Sequence, residues 1–198
     1  MMSARKKEIT PADILPPADY AERRPAMRAE IVAKKKNRRL EVGPVATFYF
    51  ECYETMLQQV QEMLHIEKGG AVQIADELAA YNPLIPKGSE LVATVMFEID
   101  DPVRRARVLG RLGGIENTMF IKLGEEKVMG VAEPDQDRTN AEGKASSVQF
   151  VHFPFTRAQI ARFRTAGTTI IVGMDHENYA HMAVMSDAVR QELAGDFD

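Results

Sequence analysis

Three times in this 198-residue chain, two β-rich runs are separated by only a few turn-forming residues, and that spacing constrains the fold more than any other feature. Arg39–Val42 and Val45–Phe50 flank Gly43-Pro44, and Thr118–Leu123 and Lys127–Ala132 flank Gly124-Glu125-Glu126. Thr168–Gly173 and Tyr179–Met185 pair around Asp175-His176-Glu177-Asn178. So short a connection returns a strand beside its predecessor only in the antiparallel sense. Leu91–Ile99 and Ser147–Phe153 add two further strands. Helices are expected at 54–67, 71–80 and 102–112, at 156–165 behind a Thr156 cap, and at 186–194 behind Ser186. The N-terminal part offers helix entries at Thr10-Pro11-Ala12-Asp13 and Pro16-Pro17-Ala18-Asp19. Pro25 is expected to open a longer helix to about Asn37, with Met27, Ile31 and Lys34 on one side. The expectation is an α+β fold: a single domain, residues 9–198, with a mainly antiparallel sheet built from hairpins and helices packed on it. Residues 9–38 form its helical basic arm, and residues 1–8 precede it as a flexible basic tail.

An apolar fraction of 45% and a charged fraction of 27% suit a globular domain. No apolar run approaches the roughly 20 residues of a membrane helix, so no membrane span is expected. The charged start is not followed by an apolar segment, which argues against a secretory signal. One cysteine forbids an internal disulfide and suits a reducing cytoplasm. The net charge of -4 hides a polarity: residues 1–40 carry eleven Lys and Arg against five Asp and Glu, and the remainder is acidic. The basic excess peaks at Lys34-Lys35-Lys36-Asn37-Arg38-Arg39. This run reads as a helix end docked on the chain's own acidic body, ahead of a nucleic-acid patch, because no aromatic platform flanks it.

Phe48–Pro86 holds most of the chemistry-bearing residues. Glu62-x-x-His65 has the form of a di-iron helix motif. At 100° per residue, however, Met56, Leu57, Val60, Met63 and Leu64 share one face, and Glu62 and His65 point about 140–160° away from Val60. The polar side Gln58, Gln61, Glu62 and His65 then reads as a solvated or interface-facing surface suited to recognition. His176 and His181 straddle a turn and, with His65, are the weak metal candidates, but the spacing of a zinc site is missing. His152 reads as a half-buried strand histidine. Gly143-Lys144-Ala145-Ser146 fails as a phosphate loop, since Arg138 stands at the position of the earlier glycine and Ala145 supplies no hydroxyl. Asp135-Gln136-Asp137 with Asn140 and Glu142 lacks the spacing of a calcium loop. Cys52, between strand and helix, reads as a small buried residue with no catalytic partner. No residue is assigned a catalytic role, and no cofactor is indicated.

The segments ITPADILPPADY, QVQEMLHIE, ELAAYNPLIP, LVATVMFEI and LGGIE resemble an uncharacterised bacterial family, domain of unknown function 3501, over about Ile9 to Leu193. QVQEML and YNPLIP together carry the resemblance. It implies no activity, cofactor or catalytic residue. It does imply a context, since similar proteins are often encoded beside rubrerythrin-like and iron–sulfur oxidoreductase proteins. His65 stands where such proteins commonly have arginine, and Cys52 where a polar residue such as asparagine is usual. The resulting expectation is a non-catalytic cytoplasmic accessory protein associated with an iron–sulfur or rubrerythrin-type redox partner, with a homo-oligomer also open. The alternatives are a metal-binding protein or enzyme with a carboxylate/His site, and then nucleic-acid binding through residues 34–39. If a small-ligand site exists, Glu51, Glu62, Asn82 and Arg138 are the residues expected to form it.

Overall fold

In a computed structural model that describes residues 6–133 and 138–198, nine strands form two antiparallel sheets that face each other. The first sheet contains β1 (Arg39–Val42), β2 (Ala46–Phe50), β3 (Glu90–Phe97), β6 (Val131–Ala132) and β7 (Val148–Pro154), in the order β1-β2-β3-β7-β6. The second contains β4 (Met119–Leu123), β5 (Glu126–Met129), β8 (Ile170–His176) and β9 (Tyr179–Val184), in the order β5-β4-β8-β9. Every ladder among the described residues is antiparallel, as the tight turns require for β1–β2, β4–β5 and β8–β9. The fold is α+β, with the expected antiparallel content divided between two facing sheets.

Strand alternation decides which side chains meet. Phe48 and Phe50 of β2, Leu91, Ala93 and Val95 of β3, and Val151 and Phe153 of β7 enter the core between the sheets. They meet Met119, Ile121 and Leu123 of β4 and Ile170, Val172 and Met174 of β8. Helices α5 (Arg157–Arg164) and α6 (Asp187–Ala194) contribute Ile160, Phe163, Val189 and Leu193 to the same core. There Phe155, Phe163 and Phe197 stack edge to face at 5.0–5.8 Å.

The run expected as one strand, Lys127–Ala132, is broken. It changes sheets at Gly130, its first part pairing with β4 and its last two residues with β7. A Cβ at Gly130 would stand 2.5 Å from Val151 Cγ1, so only glycine lets the two sheets approach at this corner.

The other face of the first sheet lies under helices. Met56 and Val60 of α2 (Tyr53–Glu67) and Leu78 of α3 (Gly70–Tyr81) cover Val92 and Phe150, with Ile9, Leu84 and Ile85 completing this second cluster. Helix α1 (Pro17–Lys35) packs along α2, and α4 (Pro102–Leu109) follows β3. Pro25, expected as the start of a helix, lies inside α1. Its missing N–H frees the Ala21 carbonyl, but both residues are exposed, a setting in which the lost bond costs least. Helix α4 stops at Leu109, short of the expected residue 112, where the Ala145 amide takes the Leu109 carbonyl at 3.0 Å. Among the described residues, no helix is long and apolar enough to cross a membrane. Residues 1–5 of the expected tail and Asp135-Gln136-Asp137 of the acidic loop lie outside the described residues. Lys6 and Lys7 are held by Asp13 and by Asp198, each at 2.6 Å.

Candidate functional site

On the helix-covered face of the first sheet, Tyr49, Thr94, Met96, Val148 and Phe150 project toward α2 and α3. Glu51 follows β2 on the same side and is only 5% exposed. Its Oε2 accepts from the Thr55 hydroxyl at 2.5 Å and its Oε1 from the Thr94 hydroxyl at 2.7 Å. Among the described residues, no cation lies within ion-pair distance of this carboxylate. Glu51 lines a cavity of about 350 Å³ that Tyr49, Gln59, Tyr81 and Phe150 also wall. Lys35, from the last turn of α1, lines it too and meets no acidic partner among the described residues.

Phe150 links this cavity to Arg138. The Arg138 guanidinium lies 4.6 Å from the ring centroid, and its Nη1 donates weakly to the Val148 carbonyl at 3.4 Å. Nε and Nη2 are buried with no hydrogen-bond partner among the described residues. Burial lowers the Arg138 pKa, opposed by the nearby charges of Glu133 and Glu116. Phe150 is thus both a wall of the cavity that Glu51 lines and the ring that the Arg138 guanidinium meets.

Glu62 and Asn82 serve other contacts. Glu62 receives Arg24 through Nε and Nη2, both at 2.8 Å, and the Tyr20 hydroxyl at 2.5 Å. The bond from Arg24 chiefly lowers its pKa to about 2, while burial first, then Glu62, pushes Tyr20 up to about 12. Gln58 donates to the same tyrosine at 2.6 Å, Gln61 accepts from the Leu15 amide at 3.0 Å, and His65 meets the Tyr20 ring edge-on at 5.7 Å. The polar side of α2, expected as a recognition surface, is thus covered by the chain's own N-terminal arm. Asn82 pairs with both backbone groups of Ile9, accepting at 2.7 Å and donating at 2.9 Å, and so anchors that arm as a strand would. His176 faces the Gly113 carbonyl at 3.1 Å while His181 packs on Tyr179 at 4.5 Å. The two histidines do not converge, and among the described residues no group of three His, Cys, Asp or Glu side chains has metal-holding geometry.

His152 is more than a half-buried strand residue. Its Nδ1 lies 2.9 Å from Glu90 and its Nε2 2.7 Å from Glu133. Only the imidazolium donates at both nitrogens, so this bracket favours the charged ring, and the bond to Glu90 chiefly raises its pKa. A raised folded value places the stabilisation below the ordinary histidine pKa of about 6.5 and removes it as pH climbs through the folded value. Urea titrations from about pH 6 to 9 are therefore expected to show a fall in stability that His152→Gln flattens. An equal fall in both proteins would refute the bracket. Glu133 and Glu90 are 19 and 62 residues from His152, too distant for spacing to reveal them.

The basic run is largely spent on the chain itself. Lys34 pairs with Glu54 at 3.1 Å, Arg39 with Glu41 at 3.1 Å, and Arg38 is buried against Asp196 and Glu192. Beside it, Cys52 is buried and its pKa is raised by desolvation, with Arg38 opposing. That environment disfavours the reactive thiolate.

A separate cleft of about 700 Å³ opens where the arm crosses α2 and α3. Ile14, Leu15, Leu64 and Ile74 give it an apolar wall, and Ala71 lies exposed in its lining. Ile66 and Val72, in the neighbouring turns, are 64% and 78% exposed.

The family model described as "Protein of unknown function (DUF3501)" matches residues 8–197. The chain belongs to this family. The DUF3501 fold described above is also similar to a crystal structure from Burkholderia pseudomallei K96243, itself titled a novel protein of unknown function. The two are 36% identical with a TM-score of 0.89, and the likeness covers 96% of this chain and 99% of that one. No curated protein matches this DUF3501 chain.

Proposed function

We propose that the protein is a non-catalytic cytoplasmic accessory protein that docks a redox partner of the iron–sulfur or rubrerythrin type. The observation that carries the docking role is the apolar cleft between the arm, α2 and α3, bordered by exposed Ile66 and Val72. Concave apolar surface next to exposed apolar side chains is the kind of surface that partners cover. The class of partner rests on the family context, in which such redox proteins are encoded nearby. The buried Cys52 is consistent with any redox chemistry residing in the partner.

Ala71→Arg tests the reading, because Ala71 is exposed, lies in a helix that tolerates arginine, and lines the cleft. Tagged wild-type protein isolated from its own host is expected to carry an iron protein recognisable by visible absorption and mass spectrometry. The variant should melt like the wild type and recover at least about tenfold less of it. Wild-type preparations without bound iron protein, or equal recovery by the variant, would count against the proposal.

A further inference from the structure

We propose that the cavity beside Glu51 binds a small zwitterion of amino-acid size, its ammonium on Glu51 and its acid group on Lys35. This site is independent of the arm cleft and of the redox-partner reading.

The argument starts from charge. A carboxylate more than nine-tenths buried is costly unless a cation or several strong donors compensate it. Glu51 has two hydroxyl donors, Thr55 and Thr94, and among the described residues no cation. Each oxygen retains further lone-pair capacity. The adjoining walls include the aromatic side chains Tyr49, Tyr81 and Phe150, a class of side chain that attracts an ammonium, and Phe150 already holds the Arg138 guanidinium at 4.6 Å. Carboxylate and aromatic rings together therefore select a cationic nitrogen.

Lys35 supplies the opposite preference. Its side chain lines the same cavity, and it forms no ion pair with Glu51 or with any other described carboxylate. A simple amine would satisfy Glu51 but face this ammonium, whereas a ligand carrying an acid group at its other end meets both charges. The volume of about 350 Å³ falls at the small end of ligand cavities, suited to a molecule of amino-acid size rather than a nucleotide.

Calorimetric titration of the full chain with leucine and with γ-aminobutyrate tests this, with n-butylamine and butyrate as single-charge controls. At least one zwitterion should bind about tenfold or more tighter than either control and raise the melting temperature. Glu51→Gln, which removes the charge and leaves one amide oxygen to accept from a single threonine hydroxyl, should weaken that binding at least about tenfold. Lys35→Met, at a half-exposed position, should weaken the zwitterion but not n-butylamine, and this variant carries the test if Glu51→Gln folds poorly. The proposal is overturned if neither zwitterion binds at about 10 mM. Equal binding of n-butylamine and the zwitterions, or indifference to both substitutions, would overturn it as well.

Discussion

Arg38→Met is expected to destabilise the protein by about 3–5 kcal/mol, a loss large enough to consume much of a domain's ordinary stability. The arginine side chain is 1% exposed and the Asp196 side chain 2%, and they meet at 2.5 Å. Arg38 Nε also donates to the Phe50 carbonyl at 2.9 Å and Nη2 to the Glu51 carbonyl at 2.8 Å. These carbonyls lie where the chain leaves β2, so one guanidinium ties the end of that strand to the C-terminus. Burial alone would lower its pKa, but Asp196 raises it, and the group remains charged. Methionine fills similar volume but strips Asp196 and both carbonyls of a donor that water cannot easily replace. Urea unfolding measures the loss, and the double variant Arg38→Met with Asp196→Asn should recover part of it, because the buried negative charge is then gone. A loss under about 1 kcal/mol, with no recovery in the double variant, would show the pair to be dispensable.

Tyr179→Phe is expected to cost about 3 kcal/mol, through hydrogen bonds alone. The phenol donates to the Val42 carbonyl at 2.8 Å and accepts from the Val45 and Ala46 amides at 3.2 and 3.1 Å. It thereby completes the β1–β2 turn from the opposite sheet, along the side where β1 and β9 pack without a ladder. Gly43 has φ +73°, and a Cβ there would stand 2.7 Å from the phenol oxygen, so the turn leaves room for this contact only as glycine. Phenylalanine preserves the edge-on packing against Phe97 at 5.8 Å but leaves three backbone groups without their partner. Amide exchange should accelerate most at Val45 and Ala46. Unchanged protection there, with a stability loss below about 0.5 kcal/mol, would mean that water takes over the role of the hydroxyl.

How much of the site was legible in the residues depended on distance along the chain. The turn of Glu62 and His65 away from the apolar face of α2 follows from helical periodicity, but what covers that side does not. Tyr20 and Arg24 arrive from a helix about forty positions earlier, and Pro25 disguises the continuity of that helix. Glu51, from the motif-bearing stretch, lines a cavity with Phe150, and Arg138, from the polar loop, meets that ring without lining the cavity. Asn82 and Glu62, from the same stretch as Glu51, anchor the arm instead. Arg38 looked like one cation among several because burial is not encoded in its immediate neighbours. Its carboxylate partners come from the last seven residues of the chain.

The chain by itself determined the antiparallel hairpins, nearly every helix and strand, and the apolar side of α2. Those properties are local: turn geometry, residue periodicity and capping act over a few positions. Only the tertiary structure decided that the strands divide into two facing sheets at Gly130, that the polar side of α2 meets the N-terminal arm, and which charges are buried together. These outcomes depend on contacts between residues distant in sequence, where packing and desolvation, rather than local propensity, set the free energy.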